Sequence, residues 1–143
     1  MRAIGLDIGA RRIGVAVSDP TGRVASPVAV LDARELGRDP RALVEIVEDY
    51  EAEVLVVGLP LTLGGEEGPQ ATEVRLVADR LADRTGVPVE YRDERLSSVE
   101  ARRIMRDAGM SEKEQRGSVD KVAAAIMLQH WLDARRETAG ECR

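Results

Sequence analysis

The sequence predicts an α/β fold. Its expected core is a five-stranded mixed sheet, an antiparallel meander of three strands continuing into parallel strands, with helices on both faces. Three observations carry this prediction. The first 31 residues hold three β-rich runs separated only by turn residues. Beyond Asp39 the apolar spacing changes from the period of a strand to that of a helix. The later strand-like runs then alternate with helical stretches, as in right-handed βαβ crossovers.

Ala3-Ile4-Gly5-Leu6-Asp7 is a short apolar run ending in an acid. Arg12 to Ser18 alternates and is β-branched, and Asp19-Pro20-Thr21-Gly22 is turn chemistry. Val24 to Val30 is the third run. Pro40 to Tyr50 sets Leu43, Val44, Ile46 and Val47 on one helical stripe, with Asp39 as the expected N-cap. Val54-Leu55-Val56-Val57 is continuously apolar, as a buried parallel strand should be. A glycine-rich loop, Gly58 to Gly68, reads as a mobile flap or a plain connection. Pro69 opens a helix that Gly86 ends, and Val87 to Tyr91 is a short strand. Ser97-Ser98-Val99-Glu100 reads as a capping box for a helix stopped by Gly109. Ser118 is expected to cap a last helix running to about Arg136, with Asp120 in its first turn. The order β-β-β-α-β-α-β-α-α is that of ribonuclease-H-like domains, an analogy of fold that does not by itself supply function.

The 143 residues suit a single domain, 1–143, with residues 137–143 as a frayed polar tail. No apolar run reaches membrane length, and an acid at position 7 interrupts any secretory leader. The only cysteine is Cys142, so no disulfide framework or zinc cluster forms within one chain, and a reducing cytoplasmic location is expected. Net charge is −5 and the only aromatic residues are Tyr50, Tyr91 and Trp131, both unusual for a nucleic-acid binder. The charge is unevenly placed, however. Residues 32–90 carry −8, whereas residues 1–31 carry +2 and residues 92–121 carry +1.

Acids stand out at three places. Asp7 and the pair Asp93-Glu94 end strands, where ligands of open parallel sheets gather, and Asp120 starts the expected last helix. Gathered carboxylates repel one another unless a divalent cation is bound. Mg²⁺ accepts such oxygen ligands, and two ions can drive phosphodiester hydrolysis without a histidine, cysteine or serine nucleophile. Taken singly, each acid has a plainer reading: Asp7 as a turn cap, Asp93 or Glu94 as a surface ion pair, Asp120 as a partner of the helix dipole. His130, the single histidine, lies in mid-helix beside Trp131 and reads as structural.

Four blocks are more specific. They are Gly5-Leu6-Asp7-Ile8-Gly9 with Arg12 to Val17, Val56-Val57-Gly58-Leu59-Pro60-Leu61, Asp93-Glu94-Arg95-Leu96-Ser97, and Val119-Asp120-Lys121-Val122-Ala123-Ala124. In this order they resemble the YqgF/RuvX family, from residue 4 to about 132; Ser98 stands where that family more often has threonine. The resemblance implies a ribonuclease-H-like nuclease, related to Holliday-junction resolvases, that matures the 5′ end of pre-16S ribosomal RNA. It implies Asp7, Glu94 and Asp120 as catalytic residues and ligands of Mg²⁺ or Mn²⁺, two ions in all, with Asp93 behind them or as an alternate ligand. Arg11, Arg12 and Arg95 would then contact substrate, and Gly9 and Gly14 would let backbone approach a phosphate. Arg102, Arg103 and Arg106 would extend that surface or simply be solvated.

Three alternatives stay open: a Holliday-junction resolvase acting on DNA, a non-catalytic module on nucleic acid or ribosomal precursor particles, and a small nucleotide hydrolase. The Asp7-Ile8-Gly9 segment is similar to the first phosphate loop of actin-like ATPases, but those need two domains. The expected partner is nucleic acid, with no membrane, for a monomer or homodimer.

Overall fold

The computed structural model describes residues 2–93 and 97–138, and for residues 97–99, 116, 137 and 138 it describes the backbone only. Glu94, Arg95 and Cys142 thus lie outside the described residues. The strands are β1 (Ala3–Ile8), β2 (Arg12–Ser18), β3 (Ala25–Asp32), β4 (Val54–Leu59) and β5 (Val89–Asp93). They form one five-stranded sheet in the order β3-β2-β1-β4-β5. β1, β2 and β3 pair antiparallel, while β1–β4 and β4–β5 pair parallel. This is the mixed sheet the sequence predicts. The helices are α1 (Ala33–Arg38), α2 (Arg41–Asp49), α3 (Pro69–Thr85), α4 (Ser97–Asp107) and α5 (Glu112–Thr138).

Strand alternation sorts the side chains into two layers. Ile4, Leu6, Ile8, Ile13, Val15, Leu55, Val57 and Leu59 pack against α1, α2 and α3. Ala3, Ala16, Val54 and Val56 pack against Ala124, Leu128, Trp131 and Leu132 of α5. The α5 face of the sheet is built of small residues, and this lets the helix lie close. A Cβ on Gly5 would stand 2.9 Å from the Leu128 Cβ and 3.1 Å from the Ala124 carbonyl oxygen. Ala101 and Met105 of α4 then pack on α5 around Ala123.

Polar groups tie the layers together. The buried Ser18 hydroxyl accepts a hydrogen bond from the Ala3 amide at 2.8 Å. The Gln129 side chain of α5 accepts from the Ala25 amide and donates to the Arg23 carbonyl, so α5 holds the start of the edge strand β3. Asp19 closes the β2–β3 turn. Hydrogen bonds from the Thr21 hydroxyl, then from the Val24 and Arg23 amides, hold its carboxyl down at about 2.

Three local expectations change. First, the chain after β3 forms α1, capped by Asp32, whose carboxylate accepts from the Glu35 amide at 2.9 Å. Second, Asp39 does not sit at the cap of α2. Pro40 does, and Asp39 instead accepts from the Arg41 amide and pairs with its guanidinium. Third, α5 starts at Glu112, not at Ser118. Ser111 and Glu114 form the real capping box, with the Glu114 amide donating to the Ser111 hydroxyl at 3.2 Å and the Ser111 amide donating to the Glu114 carboxylate at 3.1 Å. The loop after β4, for its part, is hydrogen-bonded to itself and tied to α3. Thr62 pairs with Glu66 and Gly65, and Glu67 receives two hydrogen bonds from Arg75 of α3, at 2.7 and 2.8 Å. That guanidinium also lies 4.3 Å above the Tyr91 ring.

Candidate active site

Asp7 lies at the carboxyl end of β1, half-buried, and points to the α5 face as Ala3 and Gly5 do. Its cross-strand partner on β2 is Gly14. On its other side, one step past the Leu6–Val57 pair, is Gly58 of β4. A glycine therefore flanks Asp7 on each neighbouring strand. In the sequence Gly58 is only the start of a loop; its place beside Asp7 becomes visible once the register is known.

Asp120 reaches the same place from α5. A Cβ at position 14 would overlap the Asp120 carbonyl and stand 2.8 Å from the Lys121 amide nitrogen. The helix backbone thus rests directly on the strand residue paired with Asp7. Ala124 and Ala125 of the same helix are buried against the sheet and keep it there, while Ala123 faces α4. This corrects two expectations. Gly14 is buried and makes room for α5, not for a phosphate. Asp120 sits two turns inside α5, beyond the reach of the helix dipole, and is presented from the helix side.

Arg12 also belongs to this face. Its Nε donates to Asp120 Oδ2 at 3.0 Å, with the arginine side chain 58% and the aspartate side chain 23% exposed. The structure therefore pairs Arg12 with a candidate ligand, a contact between distant positions that spacing could not reveal. Arg11 is exposed on the β1–β2 turn, where its carbonyl accepts from the Ala33 amide. The Gly9 amide closes that turn on the Arg12 carbonyl at 2.9 Å, and a Cβ on Gly9 would meet the same oxygen.

Asp93 ends β5 opposite Leu59, so it leaves the sheet on the α1–α3 face, away from Asp7. Its expected place behind the ligands is not what this register gives. Glu94 and Arg95 lie outside the described residues. Among the described residues no group of three acids, histidines or cysteines forms a metal cluster. The structure brings together Asp7, Asp120 and Arg12. Arg102, Arg103 and Arg106 are exposed along α4. The exposed His130 Nε2 lies 3.8 Å from a Glu100 carboxylate oxygen on α4.

A sheet ordered β3-β2-β1-β4-β5, with an aspartate ending its central strand and a helix presenting a second beside it, is a ribonuclease-H-like fold. Residues 1–134 match the family model described as "RuvX: Holliday junction resolvase", and the chain belongs to that family. It is 50% identical over 135 residues to a protein of Anaeromyxobacter sp. (strain K) named "Putative pre-16S rRNA nuclease", covering 94% of this chain and 98% of that one. A protein of the same name from Roseiflexus sp. (strain RS-1) is 43% identical, with 94% and 96% covered. Among solved structures, T. thermophilus RuvC in complex with a Holliday junction substrate matches with a TM-score of 0.58 at 22% identity, covering 96% of this chain and 97% of that one. The fowlpox virus resolvase bound to Holliday junction DNA gives 0.53 at 12% identity, with 94% and 99% covered. The protein is a hydrolase of the nuclease class.

Proposed function

We propose that the chain, acting as one domain in the cytoplasm, hydrolyses a phosphodiester bond in pre-16S ribosomal RNA and matures its 5′ end. The observation that carries this is the seating of Asp120 on Gly14, the residue paired with Asp7. Two aspartates from opposite ends of the chain thereby share one face of the sheet. Their oxygen donors suit a hard divalent cation such as Mg²⁺ or Mn²⁺ better than a soft one. Arg12 on Asp120 already meets this face's demand for positive charge. Asp7, Asp120 and Glu94 would hold the ions, two in number. Because Asp93 lies on the opposite face, Glu94 is the member of that pair assigned as a ligand. When bound, the cations supply Lewis acidity at the phosphate and an activated water. The protein's part is to hold the carboxylates apart from bulk water and position the strand. Arg12 turns from Asp120 to a substrate phosphate once cations neutralise the carboxylates, and Arg11 takes the neighbouring phosphate.

The experiment is cleavage of a pre-16S rRNA fragment with Mg²⁺ or Mn²⁺, run beside Asp7→Asn, Glu94→Gln and Asp120→Asn. Each substitution should remove cleavage; activity surviving all three would sink the assignment. The second reading, a resolvase of DNA junctions, is favoured by the description of the matched family. It requires a symmetric dimer to cut two strands. A four-way junction in the same assay, with the oligomeric state measured, separates the two readings.

A further inference from the structure

On the α1–α3 face, opposite the Asp7 carboxylate, lies a cleft of about 540 Å³. That is within the roughly 300–1,000 Å³ of ordinary ligand sites. Its floor is aliphatic, with Ile13, Leu36, Val74 and Leu81 among its walls. Its rim is basic. Arg34 of α1 and Arg80 and Arg84 of α3 border the cleft, with Glu73 as the one acidic lining residue. This is unexpected in residues 32–90, the segment that carries the whole negative excess of the chain. Of the six basic residues there, Arg41 is taken by Asp39 and Arg75 by Glu67. Arg34, Arg80 and Arg84 make no ion pair among the described residues, and all three meet at one cleft.

The cleft meets the candidate active site only at the β1–β2 turn. Gly9 and Ala10 line it, and they belong to the β1–β2 turn that follows Asp7. Asp7 and Ala10 are at most about 10 Å apart along an extended chain. Arg11 is exposed on the same turn.

We propose that the cleft receives unpaired nucleotides of the strand leaving the Asp7–Asp120 site, with a base on the aliphatic floor and phosphates on Arg34, Arg80 and Arg84. The inference rests on the nuclease reading above and narrows its substrate to a structured nucleic acid with a single-stranded extension beside the scissile bond. Arginine planes and an aliphatic floor accept any base, so the cleft holds the strand without selecting its sequence. A strand fits better than a free anion because the cleft sets three arginines around an aliphatic floor, which suits phosphates and a base together.

The test uses two fluorescent RNA hairpins, one blunt and one with a short single-stranded extension. Binding is followed by anisotropy with Ca²⁺ replacing Mg²⁺. In the wild type the extension should tighten binding about tenfold. The Arg80→Glu/Arg84→Glu variant should lose that gain and keep its affinity for the blunt hairpin. Its log K against log salt slope for the extended hairpin should shrink by roughly 0.7 for each phosphate it no longer neutralises. An unchanged melting temperature shows that the variant is folded. Independently of any variant, a 4-thiouridine in the extension should crosslink to α3 in the wild type. Equal binding of both hairpins by the wild type, or crosslinks falling only on α4 and α5, overturns this inference and leaves the nuclease reading standing. A wild type that binds neither hairpin overturns both.

Discussion

Gly14 and Arg12 settle the local geometry of the candidate site, and both can be tested singly. A methyl group at position 14 would run into the Asp120 carbonyl, so Gly14→Ala must push α5 off the sheet. Overpacking of this kind costs about 1–3 kcal/mol. The expected outcome is a lower melting temperature together with weaker divalent-ion binding, measured by differential scanning and isothermal titration calorimetry. Arg12 behaves differently, because it competes for Asp120 at 3.0 Å. Arg12→Gln should strengthen Mg²⁺ binding several-fold, because a competing cation is gone, and weaken nucleic-acid binding, because an arginine that holds a phosphate is gone. Titration calorimetry and anisotropy read the two effects separately; a fall in both affinities would contradict the competition. Asp7, Gly14 and Asp120 are all legible in the sequence as residues of interest. What Gly14 does is not, since a glycine that admits a phosphate and one that admits a helix look alike until the register of β1 on β2 is known.

At the level of the elements, the sheet is legible because strands announce themselves locally. Asp19 to Gly22 spells a turn, Val54 to Val57 spells a buried strand, and Pro69 and Gly86 bracket α3. Gly86 closes that helix at φ 76°, a conformation glycine adopts without strain. The start of α5 is hidden for an equally local reason. Gly117-Ser118 looks like a break followed by a cap, whereas Ser111 and Glu114 satisfy the amides at the helix start several residues earlier. Once a helix is capped and packed, an interior glycine costs only about 1 kcal/mol and does not stop it. The two serines therefore make a direct comparison. Ser111→Ala should destabilise the protein by about 1 kcal/mol, and Ser118→Ala by a few tenths at most, in chemical denaturation. α1 escapes a reading by periodicity because six residues are too few to show one, although Asp32 and Glu35 stand at capping distance.

At the scale of the whole molecule, Asp7 and Asp120 meet only when the sheet and its last helix are both in place. A cation held between them binds the folded chain and not the unfolded one. Mg²⁺ at a hundredfold excess over its dissociation constant should then stabilise the wild type by about 2.7 kcal/mol. Asp7→Asn and Asp120→Asn should each lose that increment, read as a melting temperature that no longer rises with Mg²⁺. The net charge of −5 also takes on a spatial meaning. Arg12 lies on the carboxylate side, and Arg34, Arg80 and Arg84 border the cleft on the opposite face, so a chain acidic in total still gathers positive charge locally. Composition alone points away from nucleic acid because it averages over a surface whose charges are sorted by the fold. Among the described residues no helix is long and apolar enough to cross a membrane.

The seating of α5 on Gly14 also has a consequence in time. During synthesis β1 leaves the ribosome well before the helix bearing Asp120, so the two aspartates come together only after every strand of the sheet has emerged. A nascent chain can assemble most of its sheet and still hold no working carboxylate pair. Any activity that needs both aspartates is thereby withheld until the last helix has folded onto the sheet.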